Sequence, residues 1–324
     1  MCGDGARDST RGKRDERRGC RNICATAAAF AQLYNFAYFG LWNSSELKKK
    51  PDRARSSQGH FFFRKFCEEL KRKYQAGLVQ LYDTPCGVVF NSDVIFSCLS
   101  DANAAGKILF GNLGVLSVDN ALEGKGYVEM TGIDPETSLD FCKAIQNKGG
   151  RYLEAQLQGS KKEAEDGNLV VLTAGDHSLF EKCQTCFKAM GKTAFYLGNV
   201  GYAAKMNMVI NLVNSISMIG LSEAFGLADR SGLSAKNVLE ILNVTNIACP
   251  YLQRKADRIV RRDFQNPEHA LQHMQKDIKL CLDLSNTLKQ PLLMASTANE
   301  ILKNARRMGF DGQDSSCIYM KTKF

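Results

Sequence analysis

Strand-like runs stop at Gly201. Ahead of it, from about residue 77, short β-like stretches alternate with helical ones: "GLVQLY", "DVIFSCLS", "GYVEM", "RYLEAQL", "NLVVLTAG" and "TAFYLG", with helical patterns such as 136–147 and 178–190 between them. That alternation predicts an α/β fold with a mostly parallel sheet. Beyond Gly201 the pattern predicts helices alone, at about 202–229, 234–243, 249–262, 270–288 and 291–308, with "SGLSAKN" capping the second and Pro291 in the first turn of the last. The 324 residues suffice for two domains. The expected organisation is a sheet domain over 76–197 followed by an all-helical domain over 198–324.

The helix that joins them begins with "GYAAKMNMVINLVNSISMIG" (201–220), whose one charge is Lys205. At about 100° per residue, Asn207, Asn211 and Asn214 share one face, while Lys205 points roughly 200° away from position 207. Buried amides need partners, so the stripe reads either as a set of packing hydrogen bonds or as the lining of a ligand pocket. Met206, Met208, Val209, Ile210, Leu212 and Val213 make the helix apolar nearly all round. One sheet domain cannot cover so much apolar surface, which predicts self-association into a dimer or tetramer.

The net charge of +9 is concentrated at one end: residues 1–75 carry 17 Lys/Arg against 8 Asp/Glu, and the remainder is balanced. "MCGDGARDSTRGKRDERRG" and "LKKKPDRARSSQG" read as disordered, with residues 24–42 as structure between them. The clusters at 11–21, 48–55 and 64–73 suit a solvated tail or sequence-independent contacts to the phosphates of DNA or nucleosomes. The uncharged stretch 22–44 is interrupted by Asn22, Gln32, Asn35 and two tyrosines. It reads as a buried helix plus strand, not as a signal peptide or membrane anchor.

Twelve cysteines scattered through apolar runs, Cys98, Cys142 and Cys281 among them, fit reduced core thiols in a reducing compartment. Cys183 and Cys186 have redox-motif spacing but fall in mid-helix. His177 sits in a solvated turn. His269, His273 and Asp277, spaced four apart, would stack about 6 Å apart along a helix axis and so could not converge on one metal ion.

Four ordered stretches, "YVEMTGIDPETS" (127–138), "RYLEAQLQGSKKEAEDGNLVVLTAGD" (151–176), "CFKAMGKTAFYLGNVGYAAKMNMVINLV" (186–213) and "ALQHMQKDIKLCLDL" (270–284), resemble the β-hydroxyacid dehydrogenase family. The nearest likeness is to its glyoxylate reductase branch, which has chromatin-associated nuclear members. The resemblance runs from about 76 to 321. It implies a Rossmann-like domain binding NAD or NADP by a G-x-G-x-x-G turn, then a helical domain like that of 6-phosphogluconate dehydrogenase. It also implies a lysine on the interdomain helix that protonates the substrate carbonyl, an asparagine four residues on that orients it, and small polar residues after two strands that hold the substrate carboxylate.

Matched position by position, the working residues depart from that pattern. The family lysine falls on Asn207, and Asn211 matches the orienting asparagine. A carboxamide gives up no proton near neutral pH, so this change alone implies a rate loss of about 10²–10⁴. Where the family has Ser-Thr, this chain has Thr131 and Gly132. Where it has Pro-Val-Ser-Gly, this chain has Gln156, Leu157, Gln158 and Gly159. Lys276 and Asp277 match a motif near the cofactor. Ser44 stands where an arginine would meet a 2′-phosphate, and "GKRDERRGCRNICAT" replaces the first strand and glycine turn; the Gly3/Gly5 pair has no strand before it.

The expected function is therefore a catalytically impaired relative of these dehydrogenases, nuclear and chromatin-associated by resemblance, serving as a scaffold. With one Trp and few residues ahead of the sheet domain, no chromatin-reader domain is expected. The alternative is an NAD(P)-dependent reductase of small aldehydes or hydroxyacids, cytoplasmic or mitochondrial. A third reading is that residues 1–75 stem from a mistaken gene model.

Overall fold

The computed structural model describes the backbone of 38–42 and the residues 82–117, 119–120 and 122–322. Ser44, Gly3, Gly5, the three basic clusters, and the run "GLVQLY" up to Leu81 lie outside those residues. Two compact units divide between Ala204 and Lys205, in the first turn of the long helix and seven residues beyond the predicted end of the sheet domain.

The first unit is built on a six-stranded sheet in sequence order: β1 (Tyr38–Trp42), β2 (Val94–Cys98), β3 (Gly126–Glu129), β4 (Arg151–Gln158), β5 (Leu169–Gly175) and β6 (Gly191–Tyr196). β2, β3 and β4 run parallel, as do β5 and β6. β1 pairs antiparallel with β2, and β4 with β5. The β4–β5 reversal has a length cause. Between Gln158 and Leu169 there is room for one five-residue helix, too little for the crossover that a parallel pairing requires.

The helices of this unit are α1 (Pro85–Phe90), α2 (Ala102–Phe110), α3 (Pro135–Asn147), α4 (Lys161–Glu165) and α5 (His177–Met190). They cover both faces of the sheet. One core joins Ile95, Tyr127 and Tyr152 to Leu109, Phe141 and Ile145. The other joins Phe96, Val128 and Leu153 to Leu179, Cys183 and Phe187. Strands buried on both faces explain why β2 reads as a continuous apolar run.

The second unit is all-helical: α6 (Tyr202–Arg230), α7 (Ala235–Val244), α8 (Pro250–Arg261), α9 (Leu271–Leu288), α10 (Leu293–Arg307), a 3₁₀ turn (Ser315–Ile318) and α11 (Tyr319–Thr322). Pro291 precedes α10 and does not open it, since the helix begins at Leu293. One core gathers Met218 and Phe225 of α6 with Ile259, Met274, Leu302, Ile318 and Tyr319. α6 is long and apolar enough to cross a membrane by length and composition. Its Met218, Ile219, Leu221 and Phe225 are instead committed to this protein core.

Candidate functional site

β3 ends at Glu129 opposite Glu154, and β4 runs on to Gln158 beside the turn that follows β3; the carboxyl ends of parallel strands are where open α/β sheets present ligands. Thr131, just past β3, is buried. Its hydroxyl accepts the Leu99 N–H at 3.0 Å, and its own N–H donates to Glu129 Oε1 at 2.8 Å. Gln156 of β4, also buried, donates its side-chain N–H to the Thr131 carbonyl at 2.8 Å. Gln156 thus ties β4 to the turn after β3, and the Thr131 hydroxyl is engaged by the fold's own backbone.

Gly132 and Gln158 are half-buried. Gly159 has φ +136°, and a Cβ there would come within 2.8 Å of Leu169 Cδ2 and 3.0 Å of Glu163 Cβ, so glycine is required.

The chain enters α6 through two left-handed glycines, Gly198 and Gly201. Glu154 of β4 meets that entry: its carboxylate accepts the N–H of Gly201 at 2.8 Å and of Ala203 at 3.1 Å. Three other helices, α2, α3 and α5, also have a carboxylate at their start. Asp101 accepts from Ala104 N–H, Asp134 from Thr137 N–H and Asp176 from Leu179 N–H, each as the N-cap of its helix. A dinucleotide pyrophosphate needs open amides at such an end. Among the described residues each of these four ends has one or two of its amides bonded to a carboxylate, which competes with a phosphate for that end.

In the helical unit, Asn207 is buried and Asn211 half-buried on α6, while Lys205 is exposed. The Cys281 thiol donates to the Met208 carbonyl at 3.1 Å, fastening α9 to the start of α6. One turn earlier on α9, Lys276 Nζ lies 3.5 Å from Asp277 Oδ1. Burial raises the Asp277 carboxyl above the ordinary range, against the pull of Lys276 and His273.

The stacking expected for His269, His273 and Asp277 needs correction. α9 begins at Leu271 after an extended Ala270, so His269 lies ahead of the helix and folds back, its Nε2 3.7 Å from Asp277 Oδ2. Its ring lies nearly parallel to that of His273, centroids 6.5 Å apart. Burial pushes both imidazoles down to about 4, and Lys276 adds to the effect. Among the described residues no group of three or more His, Cys, Asp or Glu is placed to hold a metal ion. His177 is exposed, its ring edge-on to Tyr196 at 4.8 Å. Cys183 and Cys186 are buried free thiols in the core under α5, and burial pushes the Cys183 thiol up.

The structure brings Thr131, Gly132 and Gln156 together in the first unit, and Asn207, Asn211, Lys276 and Asp277 onto two joined helices in the second. Sequence reasoning missed Glu129 and Glu154 as organisers. Their signal was a carboxylate inside the strand runs "YVEM" and "RYLEAQL".

A sheet with helices on both faces, succeeded by a helical unit opening on a long asparagine-bearing helix, is matched by two family models. Residues 62–198 match the NAD binding domain of 6-phosphogluconate dehydrogenase. Residues 201–321 match the NAD-binding domain of NADP-dependent 3-hydroxyisobutyrate dehydrogenase. The chain belongs to the β-hydroxyacid dehydrogenase family. Its relatives include the cytokine-like nuclear factor N-PAC of Aedes aegypti, 47% identical over 253 residues, and that of Homo sapiens, 39% identical over 236 residues. These matches cover 78% and 73% of this chain but 45% and 42% of the relatives, so the chain spans less than half of their length. Among solved structures, 3-hydroxyisobutyrate dehydrogenase from Salmonella typhimurium superposes with a TM-score of 0.70 at 19% identity, over 79% of this chain and 88% of that one. The Mycobacterium tuberculosis 3-hydroxyisobutyrate dehydrogenase with L-serine gives 0.67 at 19% identity, over 76% and 84%. At that identity the likeness shows the fold.

Proposed function

We propose that this chain is a dehydrogenase-fold scaffold with impaired catalysis that acts in the nucleus, in line with the name of its relatives, cytokine-like nuclear factor N-PAC, and there on chromatin. The observation that carries the reading is the buried Asn207 at the position of the family's proton-donating lysine, with Lys205 on the exposed side of the helix. A carboxamide can orient a carbonyl but cannot protonate the developing alkoxide. The carboxylate-closed helix ends support weak or absent binding of NAD or NADP. The test is a titration of the full chain with NADH and NADPH, followed by assays of glyoxylate and succinic semialdehyde reduction; neither binding at micromolar cofactor nor turnover is expected.

The scaffold role rests on surface. Met206, Val209, Ile210 and Val213 form an i, i+3, i+4, i+7 stripe on α6 that is exposed, and Ile241 and Val244 of α7 are exposed as well. Surface of this kind supports a homodimer or homotetramer. The basic segment 1–75 supplies the charge for DNA or nucleosome contacts.

The second reading, an NAD(P)-dependent oxidoreductase of the 3-hydroxyisobutyrate dehydrogenase type, is favoured by the retained Lys276–Asp277 pair and by family models that describe NAD-binding domains. The same titration decides between the two.

A further inference from the structure

Strands β3 and β4 each carry one glutamate in a buried run, and their register sets Glu129 directly opposite Glu154. Both side chains are fully buried. Paired residues of neighbouring strands point to the same face. Two residues earlier on that face, the Tyr127 and Tyr152 rings stack with centroids 6.2 Å apart. Among the described residues neither glutamate has an ion-pair partner. A carboxylate in such a place takes up a proton sooner than it stays charged alone, and two of them on adjacent strands oppose double ionisation.

The two carboxyls differ in what holds them. Glu154 receives the Gly201 and Ala203 N–H groups at the start of α6, where a helix favours an anion, and the Ser138 hydroxyl as well. Glu129 receives one backbone N–H, that of Thr131 at 2.8 Å, and otherwise only neutral hydroxyls, those of Tyr127 at 3.3 Å, Thr131 and Ser97, with no helix start behind them. Glu154 is thus the better site for the charge and Glu129 for the proton. The other titratable groups facing the pair are Tyr127 on β3, Tyr152 on β4 and Cys142 on α3, all raised above their ordinary range, chiefly by burial. β2 presents the neutral Ser97, and the start of α6 presents backbone amides.

We propose that Glu129 and Glu154 form a one-proton latch, which in its protonated state ties the Thr131 turn to β3 and the first turn of α6 to β4, and which loosens when the proton leaves. The inference is independent of whether the chain catalyses anything. Burial pushes Glu129 up to about 7 and Glu154 upward also. A carboxyl released to water titrates at about 4.3. The folded carboxyl therefore has the higher pKa: the latch is strongest below about 4.3, weakens as pH rises toward 7, and is level above that. Because opening releases one proton inside that window, it becomes about tenfold easier for each unit that the pH rises.

Amide hydrogen exchange on the full chain tests this at Thr131, Gly201 and Ala203, with intrinsic exchange rates divided out. Protection should fall by at least about tenfold between pH 5 and pH 7 and then stay constant. In Glu129→Gln, which keeps a hydrogen-bonding side chain but has no proton to lose, protection should be flat across the range. Protection in the unsubstituted chain that is flat from pH 5 to 7, or a fall in Glu129→Gln as large as in the unsubstituted chain, overturns the latch. Should Glu129→Gln not fold, difference infrared spectra of the unsubstituted chain decide. A buried carboxylic-acid band present at pH 6 and gone at pH 8 supports the latch, and its absence at pH 6 overturns it.

Discussion

Lys255 Nζ lies 2.8 and 2.7 Å from the two carboxylate oxygens of Asp314, and both side chains are buried. Asp314 also accepts the N–H of Glu268 at 2.9 Å and of Ser316 at 3.0 Å, together with the Ser316 hydroxyl at 2.8 Å. Burial opposes its charge, yet Lys255 and these donors together hold its carboxyl down at about 2. Removing one partner strands the other charge in the core. Lys255→Met is expected to destabilise the helical unit by about 3–5 kcal/mol, while Lys255→Met combined with Asp314→Asn, which removes both charges and keeps an acceptor for these donors, should cost much less. Chemical denaturation of the two variants checks this; equal losses in both would show that the charges are not coupled.

The histidines give the helical unit its own response to acid. His269 and His273 are held neutral, each down at about 4 against an unfolded value near 6.5. Their folded pKa is depressed, so the stability they contribute is complete above about pH 6.5 and is lost as pH falls toward 4. Asp277, raised by burial, works in the opposite sense at the lower end of that window. Thermal unfolding of His273→Phe followed from pH 7 to pH 4.5 should be less acid-sensitive than that of the unsubstituted chain. An unchanged slope would remove the histidines from the account.

Oligomerisation through α6 is testable on its exposed stripe. Val209 and Val213, 53% and 58% exposed, can each take a charge without entering the core. Val209→Asp with Val213→Asp is expected to give a folded monomer where the unsubstituted chain gives a dimer or tetramer in light scattering. If both are monomers, the stripe has another partner or none.

Affinity for DNA, if it resides in the basic segment, should be independent of sequence and steeply salt-sensitive, with a logarithmic slope of about −0.9 per phosphate contact. Replacing Lys48, Lys49 and Lys50 by alanine should flatten that slope by roughly two to three units. A slope unaffected by the replacement would place the contacts elsewhere.

Much of this fold was legible because local chemistry and tertiary structure agree. Asp134 and Pro135 open α3 where the sequence places a helix, and the periodic run 270–288 becomes α9 to within a residue. The reversal between β4 and β5 was not read, although the short "GSKKEAEDG" connection already forbids a crossover. His269 was misplaced because sequence spacing does not show that Ala270 is extended and bridged to Asp314. In the site, the identity of Asn207 was plain from the motif and its burial followed from helical period. What holds Thr131 and the start of α6 was not plain, because Glu129 and Glu154 meet through strand register, which no single run of sequence records.

The most direct test of impaired catalysis is the cofactor titration of the full chain coupled to the reduction assays, run beside Asn207→Lys. The substitution restores a proton donor without opening a seat for the pyrophosphate, so it should not restore turnover, and neither protein should bind NADH or NADPH in the micromolar range. Micromolar binding with measurable reduction of glyoxylate or succinic semialdehyde by the unsubstituted chain would contradict the account at both sites.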